Sequence, residues 1–269
     1  MNVKLIAHTQ LTKDFAKHIL DIIGVSGYGD TDPREILPCE TSGQAVSLTA
    51  IRTCYSANKP TEIVAKEGVK YFSKPATDGK GGSDADRLFR HIVNSGHTST
   101  LEHLTFTFAI EGVSRALLAQ LTRHRVGFSF SVQSQRYVRF GSDDKTGGFD
   151  YVVPEKIAEH EGEIVSYIDY EVEYFDNAKK LFEYAMETLQ DVYDMLREAG
   201  VPPEDARMVL PNAAATNLVM TANLRALLDF YSKRRKGRGA QAEIADLAEK
   251  LREAVVAVEP WTDAFFEQA

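Results

Sequence analysis

Cysteine is scarce in this sequence: Cys39 and Cys54 are the two it has. Two are too few for a disulfide framework and lack the paired spacing of a metal site, so both are expected as reduced thiols in a cytoplasmic protein. No run of about 18 apolar residues occurs, which excludes a membrane-spanning helix. The first residues, Met1-Asn2-Val3-Lys4-Leu5-Ile6-Ala7-His8, have neither the apolar stretch nor the cleavage site of a secretory leader. They read instead as a short strand. No repeat, low-complexity tract or linker divides the chain, so one domain over residues 1–269 is expected. Basic residues are the minority charge, 31 Lys+Arg against 39 Asp+Glu for a net of -8. That balance argues against a protein that coats nucleic acid through its overall charge.

What remains is an ordinary globular composition, 43% apolar and 26% charged over 269 residues. A chain of this length buries a core without a disulfide or metal staple. Hydrophobic periodicity indicates a mixed α/β (α+β) protein with more helix than strand. The spacing predicts a helix over residues 12–23 and a strand over 104–110. After a loop at 141–150 it predicts a long helical region, where Ile164, Ile168, Val172, Phe175, Phe182, Met186, Leu189, Val192 and Leu196 recur at three-, four- and seven-residue intervals. Gly200 suits its end, and Pro202-Pro203 forbids continuation. Further helices are expected at about 204–209, 217–236 and 240–256. Residues 74–87 read as a flexible loop whose Gly-Lys-Gly-Gly lacks the spacing of a phosphate-binding P-loop.

Positive charge is concentrated in two segments. Residues 113–140 hold five arginines and no acid; residues 206–241 hold seven Lys+Arg and one Asp. In the first, Val113, Ala116, Leu117 and Leu121 form a helical apolar stripe, which Gln120 and His124 continue where a core helix would want Leu or Val. Arg123 and Arg125 flank His124. A cationic last turn complementing the helix dipole accounts for one arginine, but not for Arg-His-Arg beside an inward Gln. The strand that follows alternates: Phe128, Phe130 and Val132 on one face, Ser129, Ser131 and Gln133 on the other. That polar face, ending in Ser134 and Arg136, suits an anion or a heterocycle edge, or equally a solvated outer face.

In the second segment, Leu224, Leu227, Leu228 and Tyr231 form a buried stripe, with Arg225 and Asp229 spaced for an i,i+4 pair. Lys233-Arg234-Arg235-Lys236-Gly237-Arg238 then puts five cations in six residues. A solvated helix end or an RNA-binding patch fits such a run, although the aromatics of a stacking platform are missing. His97, Glu102 and His103 lack the His-Glu-x-x-His spacing, so no metal is expected.

Arg123-His124-Arg125, eight residues, then Ser134-Gln135-Arg136-Tyr137 resembles the signature of the flavin-dependent thymidylate synthases. Ala206-Arg207-Met208-Val209-Leu210-Pro211 is similar to that family's Ala-Arg-x-x-Leu-Pro element. Gly96-His97-Thr98-Ser99-Thr100-Leu101-Glu102-His103 is similar to its Gly-His-x-Thr-x-x-Glu-His segment. Arg52-Thr53-Cys54-Tyr55-Ser56 matches an earlier element less specifically. The resemblance runs from about residue 50 to Trp261.

It implies a central, mostly antiparallel sheet flanked by long helices, in a homotetramer whose sites are shared between subunits. It implies conversion of dUMP to dTMP, with methylenetetrahydrofolate giving the one-carbon unit and NADPH the reducing equivalents through FAD, and no enzyme cysteine as nucleophile. On the matched positions, dUMP falls to Gln120, Arg123, Gln133, Ser134, Arg136, Arg207 and Arg234. FAD falls to Ser56, Ser99, Glu102, Arg123, His124, Arg125, Ser131, Asn223, Arg225 and Asp229, the last in place of a more usual Asn. Arg207, Arg123 and His124 take the catalytic roles, Arg207 stabilising charge on the uracil ring as a permanent cation rather than as a base. The chain is one residue longer than the family spacing after Arg234, which makes Arg235 the alternative phosphate ligand. Arg238 or Gly239 stands where the family often has His. Neither nucleic acid nor membrane is an expected partner.

Overall fold

The computed structural model describes residues 1–168 and 171–268. Its strands are β1 (Asn2–His8), β2 (Thr105–Ser114), β3 (Phe128–Val132), β4 (Glu161–Ile168), β5 (Glu171–Asn177) and β6 (Ala215–Asn223). Four of them form an antiparallel sheet in the order β1-β2-β6-β3, and β4 and β5 form a separate antiparallel pair. The helices are α1 (Lys13–Ile23), α2 (Ser42–Thr53), α3 (Ile63–Phe72), α4 (Asp84–Asn94), α5 (Arg115–Leu121), α6 (Glu155–Ala158), α7 (Ala178–Glu198), α8 (Pro203–Ala206), α9 (Leu224–Arg234), α10 (Ala242–Val258) and α11 (Asp263–Gln268).

One face of the sheet is the core. Phe106, Phe108 and Ile110 of β2 and Leu218, Met220 and Ala222 of β6 are buried, and the β3 residues Phe128, Phe130 and Val132 pack beside them. They meet Leu224, Leu227 and Phe230 of α9 and Ile244, Leu247 and Leu251 of α10. Removing each such large side chain from water contributes roughly 1.5–3 kcal/mol. The opposite face is polar and open, with Ser129, Ser131, Asn217 and Val219 exposed. The Thr107 and Thr221 hydroxyls share a hydrogen bond of 2.9 Å across its middle. The expected alternation of β3 is therefore present.

Two expected helices are strands in their first halves. The helix expected over 217–236 is β6 followed by α9: Thr216, Leu218, Met220 and Ala222 are buried while Asn217 and Val219 are exposed, the two-residue period of a half-buried strand. The long helix expected from Ile164 begins only at Ala178. Ile164, Ile168, Val172 and Phe175 lie in β4 and β5, and the expected helix also crosses residues 169 and 170, which lie outside the described residues. From Phe182 to Leu196 the reading holds, and Gly200 follows the helix end with φ +87°. Part of the expected 74–87 loop is helical as well. Ser83 and Asp86 form a reciprocal capping box that starts α4 at Asp84, and Arg90 holds Asp78 with two hydrogen bonds of 2.9 Å.

Both cysteines are free thiols. No described helix is long and apolar enough to cross a membrane.

Candidate functional site

Strand β2 runs straight into α5, and that junction is pinned from outside. Ser114 caps α5 by accepting from the Leu117 N–H at 2.9 Å. It also donates its hydroxyl at 2.5 Å and its backbone N–H at 2.8 Å to the Glu243 carboxylate in the first turn of α10. One turn along α5, the Gln120 amide donates to Gln241 Oε1 at 2.6 Å, just before α10. α5 ends at Leu121, so Arg123, His124 and Arg125 lie beyond the helix rather than in its last turn. They occupy a turn closed by His124 N–H donating to Leu121 O at 3.0 Å.

The turn is held against α9 at Gly127. Gly127 sits at φ +78°, and a Cβ built there would stand 2.7 Å from Asn223 Nδ2 and 2.8 Å from Ala226 Cβ. Only glycine permits both that backbone and that approach. The Asn223 N–H donates to Gly127 O at 3.1 Å, and Asn223 Oδ1 caps α9 by accepting from Ala226 N–H at 2.9 Å.

His124 is half-buried, edge-on to Phe230 with ring centroids 4.9 Å apart. Its Nε2 accepts from Arg234 Nε at 3.2 Å, which leaves the ring proton on Nδ1. Burial, then the Arg234 and Lys233 charges, hold its pKa below the usual imidazole range. His124 is thus a neutral ring among cations. Arg123 and Arg125 are exposed and pair with no carboxylate among the described residues. Arg235 is half-buried just past the end of α9, with its charge felt at Tyr231.

A second cationic group lies past the end of β3. Gln133 N–H donates to Asn217 O at 2.9 Å, and its Oε1 accepts from Asn217 Nδ2 at 3.1 Å. Ser134 Oγ accepts from the Arg136 N–H at 3.2 Å, which leaves its own proton free to donate. Arg136 Nε donates to Glu204 Oε2 at 2.5 Å, and Arg207 Nε donates to the Glu204 carbonyl at 3.0 Å. Arg115, half-buried at the start of α5, has its pKa lowered by burial and by the Arg207 charge. Neither Arg115 nor Arg207 pairs with a carboxylate among the described residues, which makes these two guanidinium groups a ready place for an anion.

The remaining expected residues form a third and a fourth group. Glu102 accepts from Arg225 Nη1 at 2.5 Å, beside a cavity of ≈ 390 Å³ with an apolar floor of Val93, Leu101, Leu228 and Phe265 and with Arg225 and Asp229 on its rim. The expected Arg225–Asp229 pair is not made, because Glu102 takes Arg225 and Lys233 takes Asp229 at 2.7 Å. Ser99 is exposed in the 3-10 turn that carries Glu102. Ser56 stands apart: it donates its hydroxyl to the Glu67 carboxylate, which also pairs with Arg52 at 2.6 Å. Ser131 lies on the open sheet face. A larger cavity of ≈ 640 Å³ borders Gln133 but carries the acids Asp150, Glu243 and Asp246 on its wall, which disfavours a phosphate there. Among the described residues no group of His, Cys, Asp and Glu is arranged to hold a metal.

Sequence reading misses Arg115, Glu204 and Gln241. Each acts on an expected site residue far away in the chain, and no local pattern marks such a contact.

A family model described as thymidylate synthase complementing protein matches residues 36–261. The flavin-dependent thymidylate synthase of Geobacter sulfurreducens is 43% identical over 216 residues, 80% of this chain and 78% of that protein. The enzyme of the same name from Nitratidesulfovibrio vulgaris is 40% identical over 230 residues, 82% and 81% of the two chains. Among solved structures, a UMP/dUMP methylase from Streptomyces cacaoi bound with 5-Br dUMP superposes with a TM-score of 0.63 at 21% identity, covering 99% of this chain and 94% of that one. Thymidylate synthase X from Helicobacter pylori with FAD and dUMP gives 0.57 at 23% identity, covering 100% and 98%. At those identities the two structures establish a shared fold.

Proposed function

The chain belongs to the thymidylate synthase complementing protein family, and from that premise we propose that it is a flavin-dependent thymidylate synthase, making dTMP from dUMP with FAD as its cofactor. The observation that carries the reading is the gathering of Arg123, His124, Arg125 and Arg234 at the α5–α9 junction, with Arg115, Arg136 and Arg207 beyond β3. We further assign methylenetetrahydrofolate as the one-carbon donor and NADPH as the reductant, in a cytoplasmic homotetramer that needs no cysteine nucleophile. Residues 1–269 are taken as one domain, because one core cluster draws on Val3 near one end and Phe266 near the other.

The residues present suit FAD. The cofactor is a polyanion with a ring that bears negative charge when reduced, and Arg123 and Arg125 offer guanidinium groups that no carboxylate among the described residues occupies. The close approach at Gly127 keeps their turn on α9. Arg123, His124 and Arg125 would hold the ring end; Ser99, Glu102, Asn223, Arg225 and Asp229 would hold the remainder, with Ser56 and Ser131 as outlying contacts. Bound there, FAD supplies the relay of reducing equivalents to the one-carbon unit.

The protein's own part is electrostatic. Arg136, with Ser134 and Gln120, receives the dUMP phosphate, each charge-assisted hydrogen bond contributing roughly 1.5–3 kcal/mol. Arg234 stands between the two ligands, on His124. Arg207 stabilises negative charge developing on the uracil carbonyl and imide, and Arg115 behind it raises the local positive potential. Gln133 and Arg123 complete the nucleotide contacts. Because His124 is neutral, it orients and accepts, while the neighbouring arginines carry the positive charge.

The test is direct. The purified protein is expected to be yellow, with visible flavin absorbance that NADPH bleaches, and to form dTMP from dUMP and methylenetetrahydrofolate. A flavin-loaded sample that makes no dTMP refutes the reading.

A further inference from the structure

Glu204 touches both arginines that flank the second cationic group. Its carboxylate takes the Arg136 guanidinium at 2.5 Å, and its backbone carbonyl takes Arg207 Nε at 3.0 Å. It lies in α8, a single turn set by Pro202-Pro203, so its backbone is fixed while its side chain stays 45% exposed. Arg136 has two contacts besides that carboxylate, one of them through its backbone. Its N–H is on Ser134 Oγ, and its guanidinium lies 5.5 Å from the Tyr137 ring centroid. Among the described residues, Glu204 is the acid that Arg136 meets.

We propose that Glu204 is a built-in stand-in for the substrate phosphate, an internal carboxylate that a nucleotide monophosphate must displace from Arg136. The proposal rests on the reading of this site as a dUMP site. An exposed ion pair of this kind is weak and exchanges readily. A phosphate monoester brings nearly two charges and three acceptor oxygens against one charge and two oxygens, so it wins the guanidinium. A singly charged or neutral ligand wins far less. Glu204 therefore raises the threshold for occupying Arg136 and favours a phosphate monoester over weaker anions. Its displaced side chain has solvent to turn into. The Arg207 contact survives the exchange, because it is made by the backbone carbonyl.

The experiment is calorimetric titration of the flavin-loaded protein with dUMP, for wild type, Glu204→Gln, Arg136→Gln and the double variant. Glu204→Gln is expected to bind dUMP about two- to fivefold more tightly, the size expected for release of an exposed pair. In the Arg136→Gln background the same change is expected to leave the affinity where it was. Glu204→Asp, which keeps the charge but shortens its reach, is expected to tighten binding by a smaller factor and guards against misfolding of the first variant. Inorganic phosphate, as a competitor of dUMP, is expected to inhibit Glu204→Gln more strongly than wild type. Unchanged or weaker dUMP binding by both Glu204 variants, with wild type binding normally, overturns the proposal alone. So does an equal gain with Arg136 absent. Wild type that binds no dUMP overturns the underlying reading and the proposal with it.

Discussion

At the scale of single residues, reactivity follows from surroundings that sequence shows only in part. Cys39 illustrates this: burial, reinforced by the nearby Glu259 charge, pushes its thiol up to about 11. A thiol with so high a pKa is almost wholly protonated near neutral pH and is a poor nucleophile. Cys54 lies at the end of α2 with its thiol directed at Ala50 O at 3.8 Å, on a segment separate from the arginine groups. The Cys39→Ala and Cys54→Ala variants are therefore each expected to retain substantial dTMP synthesis, measured as product formed per flavin. Complete loss in a folded variant would return the nucleophile to the enzyme. His124 makes the converse point. Its place beside two arginines is legible in the motif, but its neutral state needs Phe230 and Arg234, which lie more than a hundred residues on.

At the scale of elements, legibility depended on whether one period dominated. Phe128–Val132 alternates aromatics and β-branched residues with serines, so strand and faces were both readable. Ala215–Asn223 mixes the β-branched Thr216, Val219 and Thr221 with Ala, Asn, Leu and Met, which lack strong strand preference, and it runs into a true helix with Leu at helical spacing. The helical signal of α9 therefore extends backwards over β6 in the sequence. Sheet pairing with β2 and β3 on both sides overrides it. The packing of the turn between α5 and β3 against α9 depends on Gly127 and Asn223. Gly127→Ala meets both a positive φ and contacts under 3 Å with Asn223 and Ala226, a combination expected to cost about 1–3 kcal/mol. Asn223→Ala removes the α9 cap and is expected to cost about 1 kcal/mol. Urea unfolding of the flavin-free protein measures both; a Gly127→Ala variant as stable as wild type would show that the turn does not depend on the close approach.

At the scale of the whole molecule, the charge is segregated. The two basic segments carry a net +11 within an acidic remainder of -19, so the acidic mean conceals sites suited to anions. The candidate residues nevertheless fall into separate groups within one chain. Arg136 and Arg207 lie together past β3, Glu102 and Arg225 sit beside the smaller cavity, and Ser56 is tied to Glu67 in the α2–α3 region. Each group has part of a binding surface, and the sheet face with Ser129, Ser131 and Asn217 is exposed. The proposed homotetramer with shared sites would reconcile these facts, since residues distant within one subunit can converge across a symmetric interface. The consequence is subunit complementation. Arg207→Ala and Arg225→Ala, each inactive alone, are expected to recover activity when co-expressed as mixed tetramers. With random assembly and each site drawing these two residues from different subunits, about one site in four is intact. The readout is dTMP formation by mixed tetramers isolated through two different affinity tags. Mixed tetramers with no more activity than either parent would mean that Arg207 and Arg225 serve the same site from the same chain.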